Sequence, residues 1–286
     1  MPALSASFRF LSRRVGAFTI LLCALAAYAQ AQAAGPQRVV SLGGPLTEIA
    51  FALGGGDRLV GVDASSVYPA AAAQLPKVGY YRSFSVEGVV SLQPQVVLAL
   101  DHAGPPPAME QLRKLGVQVV VLPSDPTLDA LELRMDGVAR ALGLGDAGKR
   151  AALALRDEIT KLTRAQSTQR VLLVSAHTGK LQAAGRGTAA NALLRLTGAR
   201  NAFDGEGYKS LSGEAVAALQ PDVIVTTTLS AEASGGVQGF AAQPGLAVTP
   251  AARERRIIVM DDLLLLGFGP RLPEAVRLLQ AGLAKR

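Results

Sequence analysis

The sequence predicts an α/β fold of two similar lobes with mainly parallel central sheets, joined by a long connector helix and enclosing a ligand cleft. Three observations carry this. Short apolar strands alternate with helical patterns, as parallel sheets with helical crossovers require. The alternation stops between Leu128 and Ala165, where no strand pattern occurs. A seventeen-residue unit before that gap returns after it at a constant offset of 127 residues.

At the N-terminus, Arg9, Arg13 and Arg14 accompany an apolar run from Val15 to Tyr28, and Ala29-Gln30-Ala31 and Ala31-Gln32-Ala33 offer small-residue cleavage sites. This order predicts a cleaved secretory signal over residues 1–33, since a membrane span takes about 20 apolar residues and the run is shorter. Leu22 stands before Cys23 where a lipid-anchoring site wants a small residue. A soluble exported chain without a membrane anchor is therefore expected.

Arg38–Leu42 reads as a buried strand, followed by Gly43-Gly44-Pro45, a helix over Leu46–Leu53 and a Gly54-Gly55-Gly56 stop. Further strands are expected at Leu59–Val62, Val96–Leu100, Val117–Leu122, Val171–Ser175, Val223–Thr227 and Ile257–Met260. The strandless middle carries two helical stretches, Leu128–Leu142 and Lys149–Arg164, split by Gly143-Leu144-Gly145. The domains follow: an N-terminal lobe over 34–127, a helical connector over 128–166 and a C-terminal lobe over 167–286.

The repeated unit runs from Tyr81 to Val97 and from Tyr208 to Ile224, with the shared frame Y-[RK]-S-x-S-x-E-x-V-x-x-L-Q-P-x-V. It reads as a loop, a Ser N-cap, a short helix and a Pro ahead of a buried strand. Glu87 and Glu214 occupy the first turn of each helix, where a carboxylate suits the helix dipole. Lying on different lobes, they also form a matched pair suited to docking a membrane partner.

Composition removes several function classes. With 49% hydrophobic and 18% charged residues the chain folds, and one Cys rules out a disulfide scaffold or a Cys-rich metal site. The net charge of +7 raises nucleic acid as a partner, but the signal takes three Arg and no acid with it. That leaves 26 basic against 22 acidic residues, +4, with no run of five cations, so no nucleic acid is expected. No G-x-S-x-G, Walker or H-E-x-x-H motif occurs, so neither catalytic residues nor a catalytic cofactor are expected. Gly185-Arg186-Gly187-Thr188-Ala189-Ala190 fits G-x-G-x-x-A, yet the apolar strand before it ends about ten residues early. A tight turn opening a helix, with Thr188 in the first turn, is the expected role.

The most pointed local cluster is Tyr80-Tyr81-Arg82, on a loop after Pro76-Lys77-Val78-Gly79. A free phenol titrates near about 10, so a phenolate needs a cation or a metal to persist near neutrality. Arg82 or ferric iron would serve, and tyrosinate is a known proximal ligand of ferric haem. The two histidines, His102 and His177, each follow a predicted parallel strand, at the end where α/β lobes bind ligands.

Over the whole mature chain these features resemble periplasmic binding proteins of the metal-chelate class, which serve ABC importers. Val78-Gly79-Tyr80-Tyr81-Arg82, Ala184–Ala190, Gly207-Tyr208-Lys209 and Leu266-Gly267-Phe268-Gly269-Pro270-Arg271 resemble the haem-binding branch in particular. The resemblance implies that Tyr80 is the axial ligand of ferric haem carried as transported cargo, with Arg82 stabilising its phenolate and Tyr81 as an adjacent alternative phenol. It makes His177 the candidate second ligand. Arg186 and Lys209 are the candidate propionate partners, and Glu87 and Glu214 the contacts to an inner-membrane permease/ATPase complex. A periplasmic monomer is expected. The rival readings are a binder of a ferric siderophore or corrinoid, and a haem chaperone working without an importer.

Overall fold

Strand β1 (Val39–Leu42) is buried at all four positions, as a strand covered by helices on both faces must be. A computed structural model describes residues 36–163, 168–176 and 180–285. The signal expected over 1–33 and His177 lie outside the described residues. After β1 come α1 (Gly44–Ala52), β2 (Leu59–Val62), α2 (Ala70–Ala73), and the paired strands β3 (Gly79–Tyr80) and β4 (Ser83–Phe84). Then follow α3 (Val86–Ser91), β5 (Val96–Leu100), α4 (Pro106–Lys114) and β6 (Gln118–Leu122). The main sheet of this lobe has the order β2-β1-β5-β6, and every pairing is parallel.

The connector is α5 (Leu128–Ala141) and α6 (Ala147–Leu162), folded back on each other as a hairpin. Thr127 caps α5 by accepting the Ala130 N–H at 3.1 Å. The close approach is at Gly148, where a Cβ would stand 2.3 Å from the Met135 carbonyl oxygen. Arg156 of α6 reaches back to Asp129 and Glu132 of α5.

The second lobe runs β7 (Arg170–Ser175), β8 (Leu181–Ala184), α7 (Ala189–Leu196), β9 (Arg200–Asn201), β10 (Tyr208–Leu211), α8 (Gly213–Leu219) and β11 (Val223–Thr227). It continues through α9 (Thr228–Ala233), α10 (Val237–Ala241), α11 (Pro250–Arg253), β12 (Ile257–Met260), α12 (Asp262–Leu266) and α13 (Leu272–Ala284). The sheet order is β10-β8-β7-β11-β12, with β9 on β7. The pairings β7–β11, β11–β12 and β7–β9 are parallel, whereas β8 and β10 add antiparallel. The strands with continuous apolar runs match the sequence pattern. Strands β8 and β10 do not announce themselves, because Leu181-Gln182-Ala183-Ala184 and Tyr208-Lys209-Ser210-Leu211 carry too little apolar bulk.

The repeat is realised atom for atom at its turning points. Ser85 and Ser212 cap α3 and α8 by accepting the N–H of Gly88 at 2.9 Å and of Ala215 at 3.2 Å. Gln93 and Gln220 both adopt left-handed backbone, φ 48° and 41°, and β5 and β11 then begin at matching positions. One large apolar cluster runs through both lobes, from Val39 and Leu98 through Leu131 and Leu155 of the connector to Val171, Val225 and Leu279. Two smaller clusters cover the outer sheet faces, one per lobe.

A polar seam also joins the lobes. Glu48 of α1 is buried and accepts from Arg271 Nε at 2.8 Å, and the guanidinium lies 3.6 Å from the centre of the Tyr68 ring. Beside it, buried Arg134 of α5 donates to the Phe268 carbonyl at 2.7 Å. The stretch Leu266–Arg271, conspicuous in sequence, thus serves at this seam.

Candidate functional site

The phenols sit on a two-residue hairpin. Gly79 pairs with Phe84 and Tyr80 with Ser83, leaving Tyr81 and Arg82 as the turn. Gly79 has φ 101°, and a Cβ there would stand 3.2 Å from the Phe84 backbone. A side chain would therefore meet both strain and crowding at this position. Buried Val78 and Phe84 root the hairpin in the N-terminal lobe. Backbone bonds from Ala64 N to Gly79 O (2.7 Å) and from Gly104 N to Tyr81 O (3.0 Å) tie it to the loops after β2 and β5. Those loops leave the C-terminal ends of parallel strands, where ligands of such sheets bind.

Tyr80 is 45% exposed, while Tyr81 is half-buried and packs on the apolar cluster of its lobe. Their rings lie 4.4 Å apart, tilted by 50°. The expected partnership of Arg82 with Tyr80 takes a different form. Arg82 Nε donates to the Tyr81 hydroxyl at 3.1 Å, with the guanidinium 5.4 Å from that ring's centre. Arg82 acts on Tyr80 only through its charge. Burial, and then contact with Tyr81, push the Tyr80 phenol up to about 12, while Arg82 pulls it down.

His102 joins the cluster, a contact the sequence did not disclose. Its Nε2 lies 3.2 Å from the Tyr81 hydroxyl and its Nδ1 3.1 Å from Asp101 Oδ1. Burial opposes ionisation of Asp101, but hydrogen bonds from Ser124 and His102 outweigh it and hold the carboxyl below the usual range. An ionised carboxylate only accepts, so His102 carries a proton on Nδ1 towards Asp101, and its Nε2 shares a hydrogen bond with the Tyr81 hydroxyl.

The other lobe supplies Tyr208, half-exposed on β10. Burial is the main reason its phenol is pushed up. Tyr81 raises it further and Arg82 pulls it back, so Tyr208 lies within electrostatic reach of both. Sequence reasoning did not place Tyr208 in the site, although its position as the repeat partner of Tyr81 was the available signal. Beside it, Lys209 is exposed. A small cavity of about 30 Å³ at the ends of β7 and β11 is lined by Tyr208, Ser175, Gln182, Leu265 and Leu266.

Arg186 is already engaged, with its guanidinium on the Asp204 carboxylate and carbonyl. The turn that carries it differs from expectation in one respect. Strand β8 ends at Ala184 and leads straight into Gly185, so a strand does precede the G-x-G-x-x-A stretch. That strand pairs antiparallel to β7, unlike the parallel unit of a dinucleotide site. Gly185 lets two chain segments meet, since a Cβ would stand 2.0 Å from the Gly205 carbonyl oxygen. Thr188 is the N-cap of α7, accepting the Asn191 N–H at 3.2 Å.

Glu87 and Glu214 are both exposed, in the first turns of α3 and α8. Bonds from its own backbone N–H and from Ser212 hold Glu214 below the usual carboxylate range. Among the described residues, no group of three or more His, Cys, Asp or Glu is placed to hold a metal ion, and no helix is long and apolar enough to cross a membrane.

A model of the family described as periplasmic binding protein matches residues 39–264. The periplasmic haem-binding protein RhuT from Roseiflexus sp. RS-1, in apo form, is 41% identical with a TM-score of 0.83, over 87% of this chain and 98% of its own. A periplasmic haem-binding protein from Pseudomonas aeruginosa is 40% identical with a TM-score of 0.78, over 87% of this chain and 92% of its own. The vitamin B12-binding protein of Pectobacterium carotovorum is 30% identical over 259 residues, 88% of each chain. The two-lobe α/β fold agrees with that company, and the chain belongs to the periplasmic binding protein family.

Proposed function

We propose that this protein is an exported carrier that captures ferric haem between its lobes and passes it to an ABC-type import complex. One observation carries the reading most: a half-exposed phenol, Tyr80, is held on a rooted hairpin whose turn residues, Tyr81 and Arg82, lie within electrostatic reach of Tyr208 of the other lobe. Haem is a flat apolar disc with a ferric centre and two carboxylates, so a cleft of aromatic and aliphatic walls suits it. Tyr80 supplies the iron bond, and the ferric charge overcomes the raised phenol. Lys209 faces solvent and suits a propionate. Arg186, engaged by Asp204, reaches one only by exchanging partners. His177 is the second-ligand candidate from the other lobe. The unit is a lobe over 34–127, a connector over 128–166 and a lobe over 167–286, delivered to the periplasm by the signal over 1–33. Glu87 and Glu214 dock the two lobes on the permease. No reaction is performed; the work is capture, carriage and release.

Adding ferric haem to the purified protein tests this directly. A Soret shift with a high-spin tyrosinate charge-transfer band is expected, and the band disappears in Tyr80→Ala. An unchanged haem spectrum at micromolar protein would sink the reading. The 30% identity to a vitamin B12-binding protein gives a corrinoid its place as the second reading, and tight binding of cyanocobalamin in preference to haem would favour it.

A further inference from the structure

We infer that Tyr81 is a positioning residue: pinned at its backbone by Asp63 and at its hydroxyl by Arg82 and His102, it fixes the neighbouring Tyr80 ring and leaves iron to Tyr80. The inference rests on the haem reading for its ligand and on independent geometry for the pinning.

Asp63 is fully buried at the end of β2. Its Oδ1 accepts from Gly43 N at 3.0 Å and Ser66 Oγ at 2.7 Å. Its Oδ2 accepts from Ser65 N at 2.9 Å, Ser65 Oγ at 2.7 Å and Tyr81 N at 3.3 Å. One carboxylate thus gathers the start of α1, its own loop and the phenol hairpin. A buried carboxylate is tolerated when its lone pairs are filled in this way. The same bonds fix where the Tyr81 backbone sits.

The far end of Tyr81 is held as firmly. Its hydroxyl oxygen accepts from Arg82 and is hydrogen-bonded to His102 Nε2, whose ring Asp101 orients; Asp101 Oδ2 in turn accepts from Ser124 N at 3.2 Å. The His102 ring also meets Tyr81 edge-on, 5.2 Å between centres. A hydroxyl bonded to both Arg82 and His102, on a ring packed against its own lobe, has to give up those bonds before it can bind iron. Tyr80 is more exposed, its ring tilted by 50° against the fixed ring at 4.4 Å and its hydroxyl in hydrogen-bond reach of Tyr81 alone among the pinning groups' side chains. A ligand oriented by a locked neighbour needs less ordering when it binds.

The test uses the full-length protein, ferric haem, five single variants and one double variant. Tyr80→Phe should abolish the tyrosinate–iron signature in the charge-transfer region and in resonance Raman spectra. Tyr81→Phe should keep that signature, shifted, with affinity weakened roughly 10-fold, as loss of an outer partner of a metal ligand does. His102→Ala should reproduce Tyr81→Phe and add nothing to it in the double variant, while His102→Gln restores part of the affinity. A signature lost in Tyr81→Phe but kept in Tyr80→Phe would overturn the inference, as would wild-type affinity and spectrum in Tyr81→Phe. Hydrogen exchange without haem judges the pinning separately. In Asp63→Asn the Tyr81 amide should exchange several-fold faster, and in His102→Ala so should the hairpin. Unchanged exchange in both overturns the inference even if haem binds. A wild type that takes up no haem removes the proposed function, and the exchange result then decides the pinning alone.

Discussion

In the N-terminal lobe, the residues ahead of the repeated helix form a tight hairpin whose turn, Tyr81-Arg82, is bonded to His102 and Asp63. In the C-terminal lobe the same repeat positions, Tyr208 and Lys209, lie along β10, an exposed edge strand paired with β8. Past that point the copies coincide, with the same Ser cap, the same left-handed Gln and the same first residue of the strand. The lobes therefore share the code that turns helix into strand and differ where each meets the cleft. One presents a braced hairpin bearing two phenols and the other an exposed edge strand.

The sharpest way to break that contrast is to remove each lobe's phenol in turn. Tyr80→Ala should weaken haem binding by more than roughly 100-fold, beyond the 10- to 100-fold range of outer partners of a ligand. Tyr208→Phe, which keeps the ring and its wall contact, should cost only a few-fold. Equal losses in a haem titration would mean that the lobes contribute alike and that the asymmetry of the loops is irrelevant to binding.

The Glu87 and Glu214 pair sharpens the comparison from the opposite direction, since these positions are equivalent and exposed. Each single Ala variant should lower haem import by a reconstituted transporter to a similar degree, and the double variant should come close to abolishing it. Haem affinity should stay within about twofold of wild type, because rim charges act on partner docking rather than on a distant cleft. A one-sided result, with Glu87→Ala alone accounting for the loss, would break the symmetry of docking.

Between the lobes, Glu48 offers a pH test of the seam. Its carboxyl is pushed up from about 4.5 to about 7, chiefly by burial, with Arg271 pulling it down. A folded-state value above the unfolded one means that the native protein holds this proton after the unfolded chain has released it. That contribution is complete below about pH 4.5, declines as pH rises towards about 7 and is flat above it. The melting temperature of wild type minus that of Glu48→Gln should accordingly fall across this window. A constant difference would mean that Arg271 holds Glu48 ionised throughout.

How much of this was legible in sequence follows from the range of each interaction. The Ser85 and Ser212 caps and the Pro-preceded strands were legible because a cap and a turn are decided within four residues. Strands β8 and β10 were not, since Leu181-Gln182-Ala183-Ala184 and Tyr208-Lys209-Ser210-Leu211 become strands through antiparallel pairing to neighbours rather than through their own pattern. Tyr80 and Arg82 were legible as a cluster because they are nearly adjacent. His102 and Asp63 were not tied to them, because those contacts cross 21 and 18 residues and depend on which strand ends lie side by side. Glu48 and Arg271, 223 positions apart, meet only through the packing of both lobes on the connector.

The smallest expected effect tests the shared half of the comparison. Ser85→Ala and Ser212→Ala each delete a cap whose oxygen accepts one N–H from the first turn, at 2.9 and 3.2 Å. Such a loss costs about 1 kcal/mol, which for a protein of this size lowers the melting temperature by roughly 2–4 °C. If the repeat is one local device used twice, the two variants should fall by the same amount, and the double variant by the sum, because distant sites with no shared partner add. Each cap also bonds the glutamate two residues on, Ser85 donating to Glu87 Oε2 at 3.2 Å and Ser212 bonding Glu214, and Glu87→Gln should leave the Ser85→Ala shift almost unchanged, since exposed pairs of this kind contribute little. A Ser85→Ala shift twice that of Ser212→Ala in parallel calorimetric scans would show that the N-terminal copy braces the hairpin through its cap as well, extending the difference between the lobes into the part they hold in common.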